Sequence, residues 1–103
     1  MTLGQKQRKF TRMVAQLIEY AYCEGYEITF GDAFRDSRVT YGHPTSLHRK
    51  RLAIDLNLFW DGKFLTATED HAFLGLYWES IGGTWGGRFK DGNHYSLEHN
   101  GQK

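Results

Sequence analysis

Residues 51–60, RLAIDLNLFW, constrain the fold more than any other stretch. Leu52, Ile54, Leu56 and Leu58 fall on one face while Ala53, Asp55 and Asn57 fall on the other, the period of two that belongs to an extended strand. A strand with one aliphatic face needs cover, and the chain offers two helices to supply it. Between Gln5 and Glu24, the residues Phe10, Met13, Val14, Leu17, Ile18 and Ala21 recur at spacings of three and four, which predicts an amphipathic helix capped by Thr2 and stopped at Gly25. A second helix opens at Thr68 or Glu69, carries Phe73, Leu74, Leu76, Tyr77 and Ile81 as its stripe, and ends at Gly82-Gly83. Residues 26–30 read as a strand, Asp61-Gly62 as a hairpin turn into a strand near Lys63–Leu65, and residues 94–97 as the last strand. The expectation is an α+β fold, with a small antiparallel sheet packed against an N-terminal and a second helix.

A chain of 103 residues has room for one domain, 1–103, so any chemistry must sit around one core. Thirteen basic against twelve acidic side chains leave a formal charge of +1, which provides no global field for nucleic acid; a peptide partner would be chosen locally, by a monomer. No apolar run approaches the roughly 20 residues a bilayer span requires. The opening MTLGQKQRKFTR has no apolar core behind its charges, so a Sec signal is not expected. Cys23 stands alone, which excludes an internal disulfide and leaves a metal as the available staple. Lys6, Arg8 and Lys9 oppose the dipole of the first helix; they read as a solvated face, with contact to anionic envelope polymers as the alternative.

Chemistry is concentrated in a few positions. His48 is followed seven residues later by Asp55 on the alternating strand, and His94 lies downstream beside the run GGTWGGRFKDGNHY. Two imidazoles and a carboxylate form a zinc ligand set with one position left open, the catalytic rather than the structural arrangement. Asp91, three residues before His94 across the turn Asp91-Gly92-Asn93, is placed to act as base and acid. Taken singly, a histidine beside an apolar strand is commonly structural, and Asp91-Gly92-Asn93 alone is a turn. Among the other histidines, His71 reads as part of the solvated helix face, and His43 and His99 as groups at the edge of the site. Trp78, Trp85, Tyr41, Tyr95 and Phe89 are candidates for lining a peptide cleft, though the core is the commoner place for such residues. Ser46 is a candidate substrate or supporting hydrogen-bond donor, with no base beside it in the sequence to make it a nucleophile.

SLHRKRLAIDLNLF together with WGGRFKDGNHYSLEH resembles peptidase family M15, the zinc D-Ala-D-Ala carboxypeptidases and L-alanyl-D-glutamate endopeptidases that include VanY-type enzymes and many small phage endolysins. The family pattern, Ser-x-His-x6-Asp and then an acidic residue, two spacers and a His followed by an aromatic, falls on Ser46, His48, Asp55, Asp91, His94 and Tyr95. The resemblance implies that His48, Asp55 and His94 bind zinc and that Asp91 is the general base and acid. It also implies an arginine that grips a substrate carboxylate, which corresponds to Arg35, with Arg38 as the rival. Two positions depart from the pattern: Arg51 stands where members often have glycine, and Ser96 where an acid often follows the His-aromatic pair.

The expected function is hydrolysis of peptidoglycan stem peptides, most specifically as an L-alanyl-D-glutamate endopeptidase of the phage endolysin type. Such an enzyme would be made in the bacterial cytoplasm and act on the wall after release. The alternatives are a D-Ala-D-Ala carboxypeptidase, a phage tail peptidase, or a module that binds zinc or wall without turnover. Because imidazoles must be neutral to bind a metal, affinity is expected to fall as pH drops through about 6.5.

Overall fold

The structure, a computed structural model, describes residues 1–36, 38, 41 and 46–103. Helix α1 (Leu3–Cys23) begins at Thr2, whose hydroxyl accepts from the Gln5 amide while the Gln5 side chain accepts from the Thr2 amide. That reciprocal cap satisfies two of the helix's orphan donors and fixes its start. Strand β1 (Glu27–Phe30) follows, then, after the loop, a 3-10 turn at Leu47–Lys50, strand β2 (Ala53–Trp60) and strand β3 (Lys63–Leu65). A second 3-10 turn, Thr68–His71, leads into α2 (Ala72–Ser80). Strand β4 (Thr84–Trp85), a third 3-10 turn at Gly86–Phe89 and strand β5 (His94–Ser96) complete the chain. The α+β expectation therefore holds, and all strand pairings are antiparallel.

Strand β2 is the spine of the sheet. One of its edges pairs with β1, from Leu56↔Phe30 to Phe59↔Glu27. The other edge is shared: Ala53 to Asp55 pair with β5, and Leu58 to Trp60 pair with β3. The β2–β3 connection is the expected Asp61-Gly62 turn, with positive φ at both residues (50° and 76°), the geometry of a tight hairpin whose twist matches its strands.

The aliphatic face of β2 is buried as the alternation requires, with Leu52, Leu56 and Leu58 fully enclosed and Ile54 nearly so. Phe10, Met13, Val14, Leu17 and Ala21 of α1 and Leu74 and Trp78 of α2 join them in one core. Each such aliphatic or aromatic side chain contributes roughly 1.5–3 kcal/mol by leaving water. Trp78 also ties helix to sheet, since its indole N–H lies within reach of both Thr84 O (3.1 Å) and Ser96 O (2.9 Å). No helix among the described residues is long and apolar enough to cross a membrane.

Two expectations need correcting. His71 is buried at 3 % exposure, not solvated, because its Nδ1 lies 2.7 Å from the Tyr95 hydroxyl and so has a polar partner inside the core. Leu76, assigned to the apolar stripe, is 57 % exposed; Gly75 takes the inward position, where a Cβ would overlap the Trp85 ring. Among the aromatic residues, Trp78, Trp85 and Tyr95 take the commoner place, the core, while Tyr41 and Phe89 are exposed. His43 lies outside the described residues.

Candidate active site

Three separate segments bring His48, Asp55 and His94 together. Ser46 caps the 3-10 turn Leu47–Lys50, its hydroxyl accepting from the His48 amide at 3.2 Å, and this sets the direction in which the His48 ring leaves the backbone. Asp55 sits at the end of β2 that pairs with β5, directly opposite His94. Its own amide donates to Asp32 O and its carbonyl accepts from the Gly31 amide, both at 2.8 Å, so the strand is held from either side at this residue. His94 is fixed by that same register and by the Asp91 turn, its amide donating to Asp91 O at 3.1 Å.

One donor atom from each of the three side chains lies within 4.8 Å of the other two. Asp55 Oδ1 is 3.2 Å from His48 Nε2 and 3.6 Å from His94 Nδ1. Both imidazoles are buried, and Oδ1 is buried without a well-directed hydrogen bond to either. A carboxylate oxygen facing two nitrogen lone pairs in a place water barely reaches is repulsive unless a proton or a cation lies among them. The residues therefore fit a divalent metal. Burial works to raise the Asp55 pKa, but contact with His48 and His94 outweighs it and holds the carboxyl down at about 2, ready to act as an anionic ligand. The remote ring nitrogens, His48 Nδ1 and His94 Nε2, are buried without a partner.

Asp91 stands at the edge of this cluster with its Oδ2 3.9 Å from His94 Nδ1, and about half of its side chain faces solvent. The Asp91 amide donates to Gly86 O at 2.9 Å. A Cβ at Gly86 would overlap Asp91 O and crowd the His94 Cβ, so the turn can close on the metal cluster only over a glycine. Phe89 packs edge-on to the His94 ring, with centroids 5.6 Å apart.

The two candidate arginines are placed differently. Arg35 is buried beside the cluster, its backbone amide donating to His48 O at 3.0 Å. Its guanidinium donates to Asp32 at 3.0 Å and, more weakly, to the Ser46 hydroxyl at 3.4 Å, lies over the Tyr41 ring, and keeps a buried Nε without a partner. Arg38 is on the surface in a two-point pair with Asp36. Ser46 thus supports both His48 and Arg35. His99 is not at the edge of the cluster but beside Lys6, with Nδ1 and Nζ 3.2 Å apart.

Sequence reasoning missed Asp32, the anchor of Arg35, although the spacing Asp-x-x-Arg was visible. It also missed the pair formed by His71 and Tyr95, for which no local signal existed because the two residues are 24 positions apart. The departure at Arg51 has a structural correlate: the residue is left-handed (φ 57°), where glycine costs nothing, and its guanidinium lies 4.2 Å from the centre of the Phe34 ring.

A model of the peptidase M15 family, described as D-alanyl-D-alanine carboxypeptidase, matches residues 40–97, more than half of the chain, including His48, Asp55 and His94. No curated protein matches the sequence.

Proposed function

The chain belongs to the M15 peptidase family described as D-alanyl-D-alanine carboxypeptidase, and from that membership we propose a zinc-dependent hydrolase of peptidoglycan stem peptides that cuts between L-Ala and D-Glu, as phage endolysins do. The observation that carries the proposal is the convergence of His48, Asp55 and His94, with Asp91 at their open side. A zinc ion held by those three side chains would polarise the scissile carbonyl and acidify the attacking water.

Asp91 accepts a proton from that water as its oxygen bonds to the carbonyl carbon, and hands it to the amide nitrogen as the C–N bond breaks. Its carboxylate is half-exposed and stands 3.9 Å from His94, at the open side of the three residues. Arg35 holds a substrate carboxylate through the donors that Asp32 leaves free, and Asp32 and Ser46 fix its plane. In both L-Ala–D-Glu and D-Ala–D-Ala, the carbon next to the leaving nitrogen bears a free carboxylate, so one clamp serves either bond. The endopeptidase form is preferred because the side of the site that Asp91 occupies opens into a cavity. Removal of a terminal D-Ala is the second reading, favoured by the description of the family. Delivery to the wall after synthesis in the cytoplasm belongs to the same proposal.

The test is digestion of purified muropeptides by zinc-loaded protein, read by mass spectrometry alongside metal analysis. Cleavage between L-Ala and D-Glu with about one zinc per chain is the expected result. Asp91→Ala should keep the zinc and lose about 10²–10⁴-fold in turnover. Release of D-Ala alone removes the endopeptidase reading, and a chain that retains no zinc near neutral pH removes the whole proposal.

A further inference from the structure

Along the shared edge of β2, strands β5 and β3 do not meet. β5 pairs as far as Asp55 and β3 begins at Leu58, so the edge is open around Asn57. A cavity of about 230 Å³ lies there, lined by Asn57, by Phe64 to Thr68 on one side and by Lys90 to Asn93 on the other. Its walls are pinned. Leu56 donates its amide to Asn93 O at 2.9 Å, Trp85 donates its indole N–H to Gly92 O at 2.8 Å, and Gly92 sits so close to Thr68 that a Cβ would strike the Thr68 backbone.

Several polar side chains of this lining have nothing to bind, and three of them are long enough to reach into it. Among the described residues, Asn57, Asn93 and Lys90 form no side-chain hydrogen bond or ion pair. Lys90 is also left-handed (φ 65°), a conformation that disfavours any side chain by roughly 1 kcal/mol and that glycine would adopt freely. Asp91 links this cavity to the metal cluster, since it lines the one and lies 3.9 Å from His94 in the other. With Asp91 protonating the leaving nitrogen, the leaving residue must lie on the Asp91 side.

Resting on that reading of Asp91, we propose that this cavity is the subsite for the leaving peptide, that Asn57 and Asn93 pair with the amide that continues it, and that Lys90 binds a carboxylate beyond that amide. Each carboxamide offers a donor and an acceptor, the complement of a peptide amide, and the ammonium is the complement of an acid. A terminal D-Ala would present only a methyl group to a space of about eight water volumes. A γ-linked D-Glu followed by a diamino acid fills that space and brings the carboxylate that Lys90 lacks. The preferred substrate is accordingly an acidic peptide that extends at least one residue past the leaving D-Glu.

The experiment compares three substrates sharing the L-Ala–D-Glu bond: one ending at D-Glu, one extended by a γ-linked diamino acid with a free carboxylate, and the same with that carboxylate amidated. Wild-type protein should prefer the free acid over the amide by about tenfold in kcat/KM, the size of one charge-assisted contact at a partly open site. Lys90→Ala should bring that ratio close to one. Lys90→Gly, which also relieves the backbone, should do the same without loss of Tm, and this separates loss of binding from loss of folding. Calorimetry of the zinc-loaded protein with the product dipeptide, D-Glu γ-linked to the diamino acid, is run in parallel. Cleavage with no preference among the three substrates, or a preference that Lys90→Ala leaves intact, overturns the subsite alone. Binding of the product that depends on Lys90 without any cleavage keeps the subsite and overturns the peptidase reading.

Discussion

Replacing Tyr95 by phenylalanine removes one oxygen atom from the centre of the molecule. The phenol is fully buried, and its hydroxyl lies 2.7 Å from Nδ1 of His71, itself 3 % exposed. The substitution would leave that nitrogen buried without a partner, at a cost of about 1–3 kcal/mol. For a domain of this size each kcal/mol moves Tm by about 4–8 °C, so a fall of roughly 4–24 °C is expected in calorimetry at neutral pH. The same pair sets a pH dependence. Burial pushes the His71 pKa below its ordinary value of 6.5, against a smaller opposing pull from Asp70. The unfolded chain therefore takes up a proton on this residue before the folded one does. The stability that His71 contributes is present above about pH 6.5 and is lost as pH falls from there toward the folded pKa, by at most about 1.4 kcal/mol per pH unit. His71→Gln, which cannot titrate, should remove that part of the slope when the two proteins are unfolded side by side in denaturant with excess chelator. A Tyr95→Phe protein as stable as wild type, or a His71→Gln protein with the same pH slope, would refute the assignment of a neutral, hydrogen-bonded imidazole in the core.

Gly86→Ala should be among the most damaging single changes near the site, because its Cβ overlaps Asp91 O and crowds His94; zinc titration should show at least a tenfold loss of affinity, and unchanged affinity would mean that the turn can shift freely. Arg35→Ala should raise KM strongly and destabilise the fold by leaving Asp32 unpaired, whereas Arg38→Ala, at a surface pair, should alter neither kinetics nor Tm measurably. Equal effects of the two substitutions would remove the distinction between them, and the reverse pattern would exchange their roles.

The readability of the sequence followed the range of the forces involved. The strand through Asp55, the capped first helix and the Asp61-Gly62 hairpin are decided by neighbours within a few residues, and all three formed as the local pattern demands. That His48, Asp55 and His94 come together was legible for a different reason: their spacing alone is a weak signal, and the resemblance of the two segments that carry them to the M15 pattern is what pointed to their convergence. What could not be read was decided by tertiary contact. Polarity placed His71 in solvent, because nothing in residues 68–80 reveals a tyrosine hydroxyl waiting across the core. The short strand β4 was hidden in a run of glycines, and it exists because Thr84 and Trp85 find Ser96 and Tyr95 across the sheet. Arg35 and Arg38 were equivalent by spacing and became distinct only when one was buried against Ser46 and the other left outside.

A single strand sets the geometry of every part of the site. At Asp55 the backbone of β2 bonds to Gly31 and Asp32 on one edge, and this positions the segment that carries Arg35. At Leu56 it bonds to Asn93 on the other edge, and this positions the turn that carries Asp91 and the pairing partner His94. Asp55 and Asn57 share the face opposite the core, so the carboxylate of the candidate site and the floor of the neighbouring cavity are two residues apart on one rigid element. A slip of one residue in either pairing would turn Asp55 into the core and Leu56 into the site. The aliphatic residues of β2 resist that slip, since each fully buried leucine would lose roughly 1.5–3 kcal/mol on exposure. The alternation that dictates the fold is therefore also what holds Asp55, Asp91 and Arg35, the residues to which the proposed function gives the roles of ligand, acid–base and clamp, in register with one another.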